Sequence, residues 1–360
     1  MDALRAEKKA RSAEVGALLA AKTAADDPKV VELKAASQAI ATKLVGLEER
    51  LAAAEGALDD ALLRIPNPPD LDIPVGGSEA NTTIRTWVPK GHPPIGADGS
   101  DPATDAAPEH DVVGERLGIF DLERGAKVAG TAFPAYRGDG AALIRGLINL
   151  FLDTHVRENG FTEIWSPILI NEASARGTGQ IPDKEDQMYV VGRDGFSLAP
   201  TAEVPVTNLH RDEILNGAEL PIRYAAYTPC FRREAGSYGK DVRGLNRLHQ
   251  FDKVEIVQLV HPETSYSVLE EMVAHVEKLV QSLQLPYRIL KLCGGDMGFA
   301  SAQTYDFEIF SGAQQKWLEV SSVSNFESFQ SNRMKLRYKD ENGKTQLAHT
   351  LNGSALALPR

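Results

Sequence analysis

Apolar and small residues recur every three or four positions along the first sixty residues of the chain. From Val30 the steps alternate three and four for more than four heptads, at Val30, Leu33, Ser37, Ile40, Leu44, Leu47, Leu51, Ala54, Leu58 and Ala61. Such a narrow seam predicts a coiled-coil helix, about 55 Å long at about 1.5 Å per residue. A bundle helix in a compact domain is the alternative, and the mostly polar or alanine residues of the other faces disfavour it.

A weaker seam of alanines precedes this helix, at Ala3, Ala6, Ala10, Ala13, Ala17 and Ala20. Between the two seams, Asp27 is a typical N-cap and Pro28 a typical first helical residue. Residues 1–64 are therefore predicted to form an antiparallel helical hairpin. The first helix is too short to pair with all of the second, so we expect the chain to begin inside a longer arm.

The pattern changes after this hairpin. Residues 65–76 are proline-rich and predict a linker, and residues 77–360 predict one further domain. An amphipathic helix is predicted from Gly138 to Asn159, and a short helix followed by a strand within 109–138. Strands are predicted at Phe196–Leu198, Arg223–Cys230, Val254–Leu259, Thr304–Phe310 and Trp317–Val323, with helices at 201–216 and 262–283. Because most turns are tight and contain glycine, we expect a largely antiparallel sheet.

Composition and charge narrow the class of protein. The 360 residues are 42% hydrophobic with a net charge of −11, which indicates a globular chain without diffuse affinity for nucleic acid. Two cysteines without a CxxC pair favour a reducing cytoplasm over a disulfide framework or a zinc site. No apolar run is long enough for a membrane span, and neither GxxxxGK[ST] nor GxGxxG occurs.

The stretch from Thr228 to Val257 concentrates Arg and Lys residues in this acidic chain. Because side chains alternate along a strand, Arg232 and Glu234 are expected on one face, and Phe251, Lys253 and Glu255 on one face of the next strand. An arginine can bind a phosphate with two hydrogen bonds, a phenylalanine can stack on a flat ring, and a glutamate can hold an ammonium group. The alternative is an exposed hairpin with cross-strand ion pairs.

Other polar residues are candidates for the same chemistry. Thr201 and Glu203 lie at the start of a predicted helix, where a plain helix N-terminus is the alternative. Glu319 and Ser322 lie on a strand rich in small and apolar residues, which indicates a buried carboxylate able to hold Mg²⁺ together with phosphate oxygens.

Five segments in order resemble one family: "TAE", "FRREAGSYGKDVRGLNRLHQFDKVE", "DMGFASAQTYDFEIF", "LEVSSVSNFESFQSNR" and "TLNGSALALPR". The family is that of the bacterial-type seryl-tRNA synthetases, which are class II aminoacyl-tRNA synthetases. The resemblance covers nearly the whole chain and implies an α+β fold, in which a long antiparallel coiled-coil arm precedes a class II antiparallel sheet flanked by helices. It also implies a cytoplasmic homodimer, with the dimer interface around the helix from Gly138 and the strand to Pro167, and an arm that binds tRNA(Ser) and, where one exists, tRNA(Sec).

The resemblance also implies roles for individual residues. Activation of L-serine by ATP and Mg²⁺ gives seryl-adenylate, from which the tRNA takes the seryl group. The catalytic residues implied are Arg232, Glu319 and Arg360. The implied serine site comprises Thr201, Glu203, Arg232, Glu255 and Ser354, and the ATP site comprises Arg232, Arg233, Glu234, Leu248, Phe251, Glu319, Ser322 and Arg360. Glu319 and Ser322 are the implied metal ligands, and the loop with Lys240, Arg243 and Arg247 has the least defined role.

The chain departs from the family at both ends, because the arm is short and the family continues past Arg360 into a helix. We therefore expect a chain truncated at both ends.

One alternative function is that of a ligase that loads a carrier protein, which the heptads and the lack of a Cys/His cluster disfavour. Another is an impaired paralogue that binds RNA or a protein partner, which should have lost Arg232, Glu255 or Glu319. Threonyl or prolyl specificity is disfavoured because the threonyl pocket needs zinc ligands.

Overall fold

The structure, a computed structural model, describes residues 1–92, 95, 107–233 and 244–359. The chain divides into two units, Met1–Ile65 and Pro66–Arg360. Within the described ranges no helix combines the length and the apolar character needed to cross a bilayer.

The first unit is the predicted helical hairpin. Helix α1 spans Asp2–Ala20 and helix α2 spans Pro28–Leu63, and Asp27 caps α2 by accepting a hydrogen bond from the Lys29 amide at 2.9 Å. Ion pairs of Arg5 with Glu48 at 2.9 Å and of Glu14 with Lys29 at 3.7 Å show that the helices run antiparallel.

The seam of α2 is buried along only part of its length. Val30, Leu33, Ile40 and Leu44 are buried, whereas Leu51 is 45% and Leu58 is 58% exposed. Since Glu48 already pairs with Arg5, near the first residue of α1, the later seam residues lie beyond the segment that α1 can cover.

The second unit contains the remaining helices and all the strands. Its helices are α3 His110–Leu117, α4 Leu122–Ala129, α5 Asp139–Asp153, α6 Glu172–Gly177, α7 Gln180–Asp183, α8 Glu203–Thr207, α9 Ser265–Ser282 and α10 Phe329–Met334. Its strands are β1 Thr82–Trp87, β2 Phe120–Asp121, β3 Ala135–Tyr136, β4 Thr162–Glu163, β5 Leu169–Asn171, β6 Val190–Val191, β7 Phe196–Leu198, β8 Ile214–Asn216, β9 Ile222–Phe231, β10 Gln250–Val260, β11 Tyr287–Lys291, β12 Gln303–Ser311, β13 Lys316–Asn325, β14 Arg337–Lys339, β15 Thr345–Leu347 and β16 His349–Ala357.

The central sheet has eight strands in the order β1-β11-β12-β13-β16-β10-β9-β4. All neighbouring strands are antiparallel except β4 and β9. This arrangement confirms the predicted antiparallel sheet and the α+β fold.

Strand β10 shows how the sheet separates its core from its polar face. Val254, Ile256 and Val260 pack with helix α9 in the main core. Because alternate side chains point to opposite faces, Lys253 and Glu255 point to the other side. The β10 strand therefore carries apolar residues into the core and charged residues towards the opposite face.

Two predicted elements are wrong in extent. The helix expected at 201–216 is only α8 followed by the 3₁₀ turn Asn208–His210, and residues Ile214–Asn216 form β8. Asn208 Nδ2 donates to the Val204 carbonyl at 2.9 Å and Asp212 has a left-handed φ of 64°, so the helical path ends early. The single strand expected within 109–138 is instead the short pair β2 and β3, separated by α4.

Candidate active site

Two adjoining cavities lie over the polar face of β10. The larger, of about 330 Å³, is lined by all the residues predicted to bind the amino acid and the metal. The smaller, of about 160 Å³, is lined by Leu248 and Phe251, among others. Arg232, Lys253, Glu319 and Ser354 line both cavities, so the two form one continuous site.

A buried ion pair forms the floor of the larger cavity. The Lys253 ammonium pairs with the Glu255 carboxylate, and the two side chains are only 6% and 2% exposed. Lys253 Nζ also donates to Thr201 Oγ1 at 2.8 Å and to Ser354 Oγ at 3.4 Å. Thr201 Oγ1 in turn donates to Glu255 Oε2 at 3.4 Å. Buried charges persist only when they are paired and hydrogen-bonded in this way.

A second carboxylate, that of Glu203, lies beside this pair. Gln330 Nε2 donates to Glu203 Oε1 at 2.7 Å, and Thr350 Oγ1 donates to Gln330 Oε1 at 2.7 Å, which fixes the amide. Burial, and then the charge of Glu255, raises the pKa of the Glu203 carboxyl. The floor thus holds two acidic side chains for the one ammonium group of Lys253.

Arg232 and Phe251 form a wall of the smaller cavity, and Arg232 also lines the larger one. The Arg232 guanidinium carbon lies 5.3 Å from the centre of the Phe251 ring, and Arg232 Nε donates to the Pro200 carbonyl at 3.3 Å. Arg232 follows β9, which pairs with β10 in register, so Phe251 lies opposite Cys230. The paired strands therefore place a cation and an aromatic ring side by side in the lining of the smaller cavity.

A third group of oxygen ligands lies on the neighbouring strands β12 and β13. Glu319 and Ser322 line the larger cavity together with Asp306, which lies opposite Ser322 in the strand register. Asp306 Oδ1 is buried and has no hydrogen-bond partner within the ranges that the structure describes. Burial, and then the charge of Glu319, raises the pKa of the Asp306 carboxyl well above its ordinary range.

The structure brings most of the predicted site residues together. Among those described, Thr201, Glu203, Arg232, Leu248, Phe251, Glu255, Glu319, Ser322 and Ser354 all line one or both cavities. Arg233 is exposed and is absent from both linings. Glu234, Lys240, Arg243 and Arg360 lie outside the described residues, whereas Arg247 lines the smaller cavity.

Sequence reasoning missed several polar residues in or beside the larger cavity, among them Lys253, Asp306, Gln330 and Asn352. Lys253 was placed on the correct face without a role, although its position between Phe251 and Glu255 already indicated one. No sequence pattern pointed to Asp306, Gln330 or Asn352, because strand pairing and the packing of helix α10 decide where these residues lie. Asn352 Nδ2 is buried and has no hydrogen-bond partner among the described residues.

The antiparallel sheet and its polar cavity define a class II aminoacyl-tRNA synthetase core. A family model for the tRNA synthetase class II core domain (G, H, P, S and T) matches residues 189–360, and a model for the seryl-tRNA synthetase N-terminal domain matches residues 1–69. The chain belongs to the seryl-tRNA synthetase family, as its sequence motifs indicated.

Individual relatives agree with this assignment. A serine--tRNA ligase of Methylacidiphilum infernorum is 51% identical over 89% of this chain and 73% of its own length. One of Desulfosudis oleivorans is 47% identical over all of this chain and 82% of its own length. The crystal structure of seryl-tRNA synthetase from Pyrococcus horikoshii complexed with ATP superposes with a TM-score of 0.81 and 33% identity, and covers all of this chain and 82% of that one.

Proposed function

We propose that the chain is a serine–tRNA ligase, which activates L-serine with ATP and transfers the seryl group to tRNA(Ser). The relatives named serine--tRNA ligase support this activity. The observation that carries it is the buried floor of Lys253, Glu255, Thr201 and Ser354, which lies directly beside the Arg232–Phe251 wall. One site can thus hold a small polar amino acid next to a nucleotide.

The charge balance of the floor suits the ammonium group of an amino acid. Glu203 and Glu255 place one carboxyl group each in a buried space where Lys253 supplies a single positive charge. A bound ammonium group would neutralise the second carboxylate, which is costly to leave ionised and unpaired in such a site. We therefore assign Glu203 and Glu255 to the ammonium end of serine.

The hydroxyl groups around the floor account for selectivity. Thr201 and Ser354 present hydroxyls, and Asn352 presents a buried amide donor without a partner in the described part of the chain. A site built to pair with a substrate hydroxyl rejects an analogue that lacks it, because its own polar groups are then left unpaired. Alanine would be rejected in this way, whereas threonine would be rejected by steric exclusion.

The Arg232–Phe251 wall suits ATP. The Phe251 ring can stack on adenine, with Leu248 beside it, and the Arg232 guanidinium can bind the α-phosphate with two hydrogen bonds. The serine carboxylate, already ionised, attacks the α-phosphorus, and the bond to the β-phosphate oxygen breaks to release pyrophosphate. Arg232 would stabilise the charge that develops on the phosphate oxygens. Arg233, Glu234 and Arg360 remain proposed members of this ATP site.

The donor set on β12 and β13 fits Mg²⁺. Glu319, Ser322 and the unpartnered oxygen of Asp306 are hard oxygen ligands. Among the described residues no cluster of three or more His, Cys, Asp or Glu side chains is arranged to hold a metal. The remaining ligands would therefore be water and ATP phosphates, as Mg²⁺ prefers. When bound there, the ion would offset the charge of the phosphates.

We further propose that the chain acts in the cytoplasm as a homodimer whose arm, residues 1–64, binds tRNA(Ser) and, where one exists, tRNA(Sec). The apolar side chains that α5 and the segment after β4 expose support the dimer, since Leu143 is 55%, Leu150 is 44% and Trp165 is 82% exposed. Residues 65–76 would then link the arm to a catalytic domain at 77–360.

The proposed activity is tested by amino-acid-dependent exchange of pyrophosphate into ATP. We expect exchange with serine, a kcat/KM about 10⁴-fold lower with alanine, and no exchange with glycine. The Glu255→Gln variant should lose serine-dependent exchange while still binding ATP at equilibrium. Exchange with threonine but not with serine would overturn the proposal.

A further inference from the structure

The segment 244–249 lines the smaller cavity but lies outside the sheet. Strand β9 ends at Phe231 and β10 begins at Gln250, so this segment has no ladder partners. Leu245, Asn246, Arg247 and Leu248 nevertheless line the cavity beside Arg232 and Phe251. Because strand pairing does not fix these residues, contacts with other parts of the chain must hold them in position.

His249, at the end of the segment, is held from several sides. The Arg232 amide donates to the His249 carbonyl at 2.9 Å, and the His249 amide donates to the Ala132 carbonyl at 3.0 Å. His249 Nδ1 lies 3.0 Å from the Arg232 carbonyl oxygen and 2.8 Å from the Tyr189 hydroxyl. Since a carbonyl oxygen only accepts, Nδ1 carries the proton of this imidazole. The Phe133 ring stacks on it, with the ring centres 5.2 Å apart.

The other end of the segment is held by a histidine 135 residues earlier in the chain. The Leu245 amide donates to His110 Nε2 at 2.8 Å. The His110 ring also lies against Gly244, where an added Cβ would come within 2.1 Å of Nε2. Gly244 has a φ of +62°, a conformation that favours glycine. Glycine at 244 therefore allows both the turn and the close approach of the imidazole.

His110 is itself well placed to act as a fixed acceptor. It is the first residue of α3, and that helix packs closely on β2, because a Cβ at Gly114 would lie 2.0 Å from the Phe120 ring. To accept from an amide, Nε2 must be unprotonated, so a neutral His110 carries its proton on Nδ1. The stretch from α3 to Phe133 thus contacts the segment at both ends.

We propose that His110 is a positioning residue for ATP, which acts by holding the Leu245 amide and through it Arg247 and Leu248, which line the smaller cavity. This inference rests on the proposed ATP site. His110 contributes no atom to either cavity lining, so its effect is on the geometry of the residues that do. Loss of the acceptor leaves the Leu245 amide without its hydrogen bond and lets the segment 244–249 move away from the nucleotide.

Two variants of His110 distinguish the effect of its hydrogen-bond acceptor from the effect of its aromatic ring. His110→Phe keeps an aromatic ring against Gly244 but removes the acceptor, whereas His110→Gln presents an amide oxygen at about the reach of Nε2. In exchange assays we expect His110→Phe to raise the KM for ATP about tenfold with the KM for serine unchanged. His110→Gln should restore the KM for ATP to within about threefold of the unmodified chain.

Hydrogen–deuterium exchange of a peptide covering 244–249 tests the contact without any activity. We expect faster exchange in His110→Phe and near-normal exchange in His110→Gln, each in the full chain. Unchanged exchange in His110→Phe, or an equal rise of both KM values without rescue by glutamine, would overturn the inference. If the unmodified chain lacks serine-dependent activity, the proposed function fails, and equilibrium ATP binding by the same variants still decides the role of His110.

Discussion

The ammonium nitrogen of Lys253 lies 2.8 Å from the hydroxyl oxygen of Thr201, two residues that are 52 positions apart in sequence. Lys253 lies on β10, whereas Thr201 lies in the turn between β7 and α8. The same ammonium group pairs with the Glu255 carboxylate. One lysine therefore joins the strand that carries the charged floor to the turn between β7 and α8.

Removal of this lysine should cost both stability and activity. Lys253→Met leaves the Glu255 carboxylate buried and unpaired, which should lower the free energy of unfolding by about 3–5 kcal/mol, measured by urea denaturation. The double variant Lys253→Met with Glu255→Gln should recover part of this loss, because no buried charge remains. Losses that simply add in the double variant would contradict the pairing.

The aromatic wall gives a prediction specific to ATP. Phe251→Ala removes the stacking surface, and we expect the KM for ATP to rise about tenfold with the KM for serine unchanged. Phe251→Tyr, which keeps the ring, serves as the matched control and should resemble the unmodified chain. The kinetic constants come from pyrophosphate exchange at saturating amounts of the other substrate. A change in the KM for serine alone would show that Phe251 belongs to a different part of the site.

A histidine far from the cavity should make the fold sensitive to acid. His155 is fully buried in the π-helical turn after α5, where burial, and then the charge of His275, lowers its pKa to about 4. Because the unfolded chain binds this proton near pH 6.5 and the folded chain does not, its stabilising effect is present above about pH 6.5 and is lost as the pH falls towards 4.

Between pH 7 and pH 5 this one group should lower the free energy of unfolding by about 2 kcal/mol. His155→Gln cannot be protonated, so its stability should depend less on pH over the same range by that amount. Urea denaturation of both chains at pH 7, 6 and 5 makes the comparison. Equal pH dependence in the two chains would show that other groups, such as His275, dominate the acid response.

The division of the chain into two units predicts separable activities. The unit that begins at Pro66 has its own core, and Asn67 Nδ2 donates to the Ala300 and Phe326 carbonyls at 3.0 Å each, so its first residues are fixed within it. A chain lacking residues 1–64 should retain pyrophosphate exchange and lose charging of tRNA(Ser). Charging that survives the deletion would remove the arm from the proposed mechanism.

Much of the fold was predictable because the regular spacing of apolar residues along a helix or strand can be read from a short stretch of sequence. The alanine seam from Ala3 to Ala20 and the seam from Val30 to Ala61 predicted the hairpin, and the alternation along the next strand placed Phe251, Lys253 and Glu255 on one face. The prediction of a helix at 201–216 was wrong in extent because Asn208 and Asp212 change the direction of the backbone. The hydrogen bond of the Asn208 side chain and the positive φ of Asp212 cannot be read from the spacing of apolar residues.

The unpredicted part of the site depends on contacts between distant segments. Asp306 meets the site through the register of β12 and β13, and Gln330 reaches Glu203 from α10, 127 residues away. His110 has no motif around it that suggests its contact with Leu245, because the contact is to a backbone amide. Residue type and spacing identify groups on one strand, whereas strand order and helix packing decide which other groups join them.

We infer above all that one continuous cavity holds serine and ATP side by side. A crystal structure with a non-hydrolysable seryl-adenylate analogue tests it most directly. We expect the adenine ring stacked on Phe251, the phosphate mimic at Arg232, and the ammonium group within hydrogen-bond distance of Glu203 and Glu255. An analogue bound with its seryl group away from Glu255, or with its adenine ring away from Phe251, would show that the cavity does not hold the two substrates in this way.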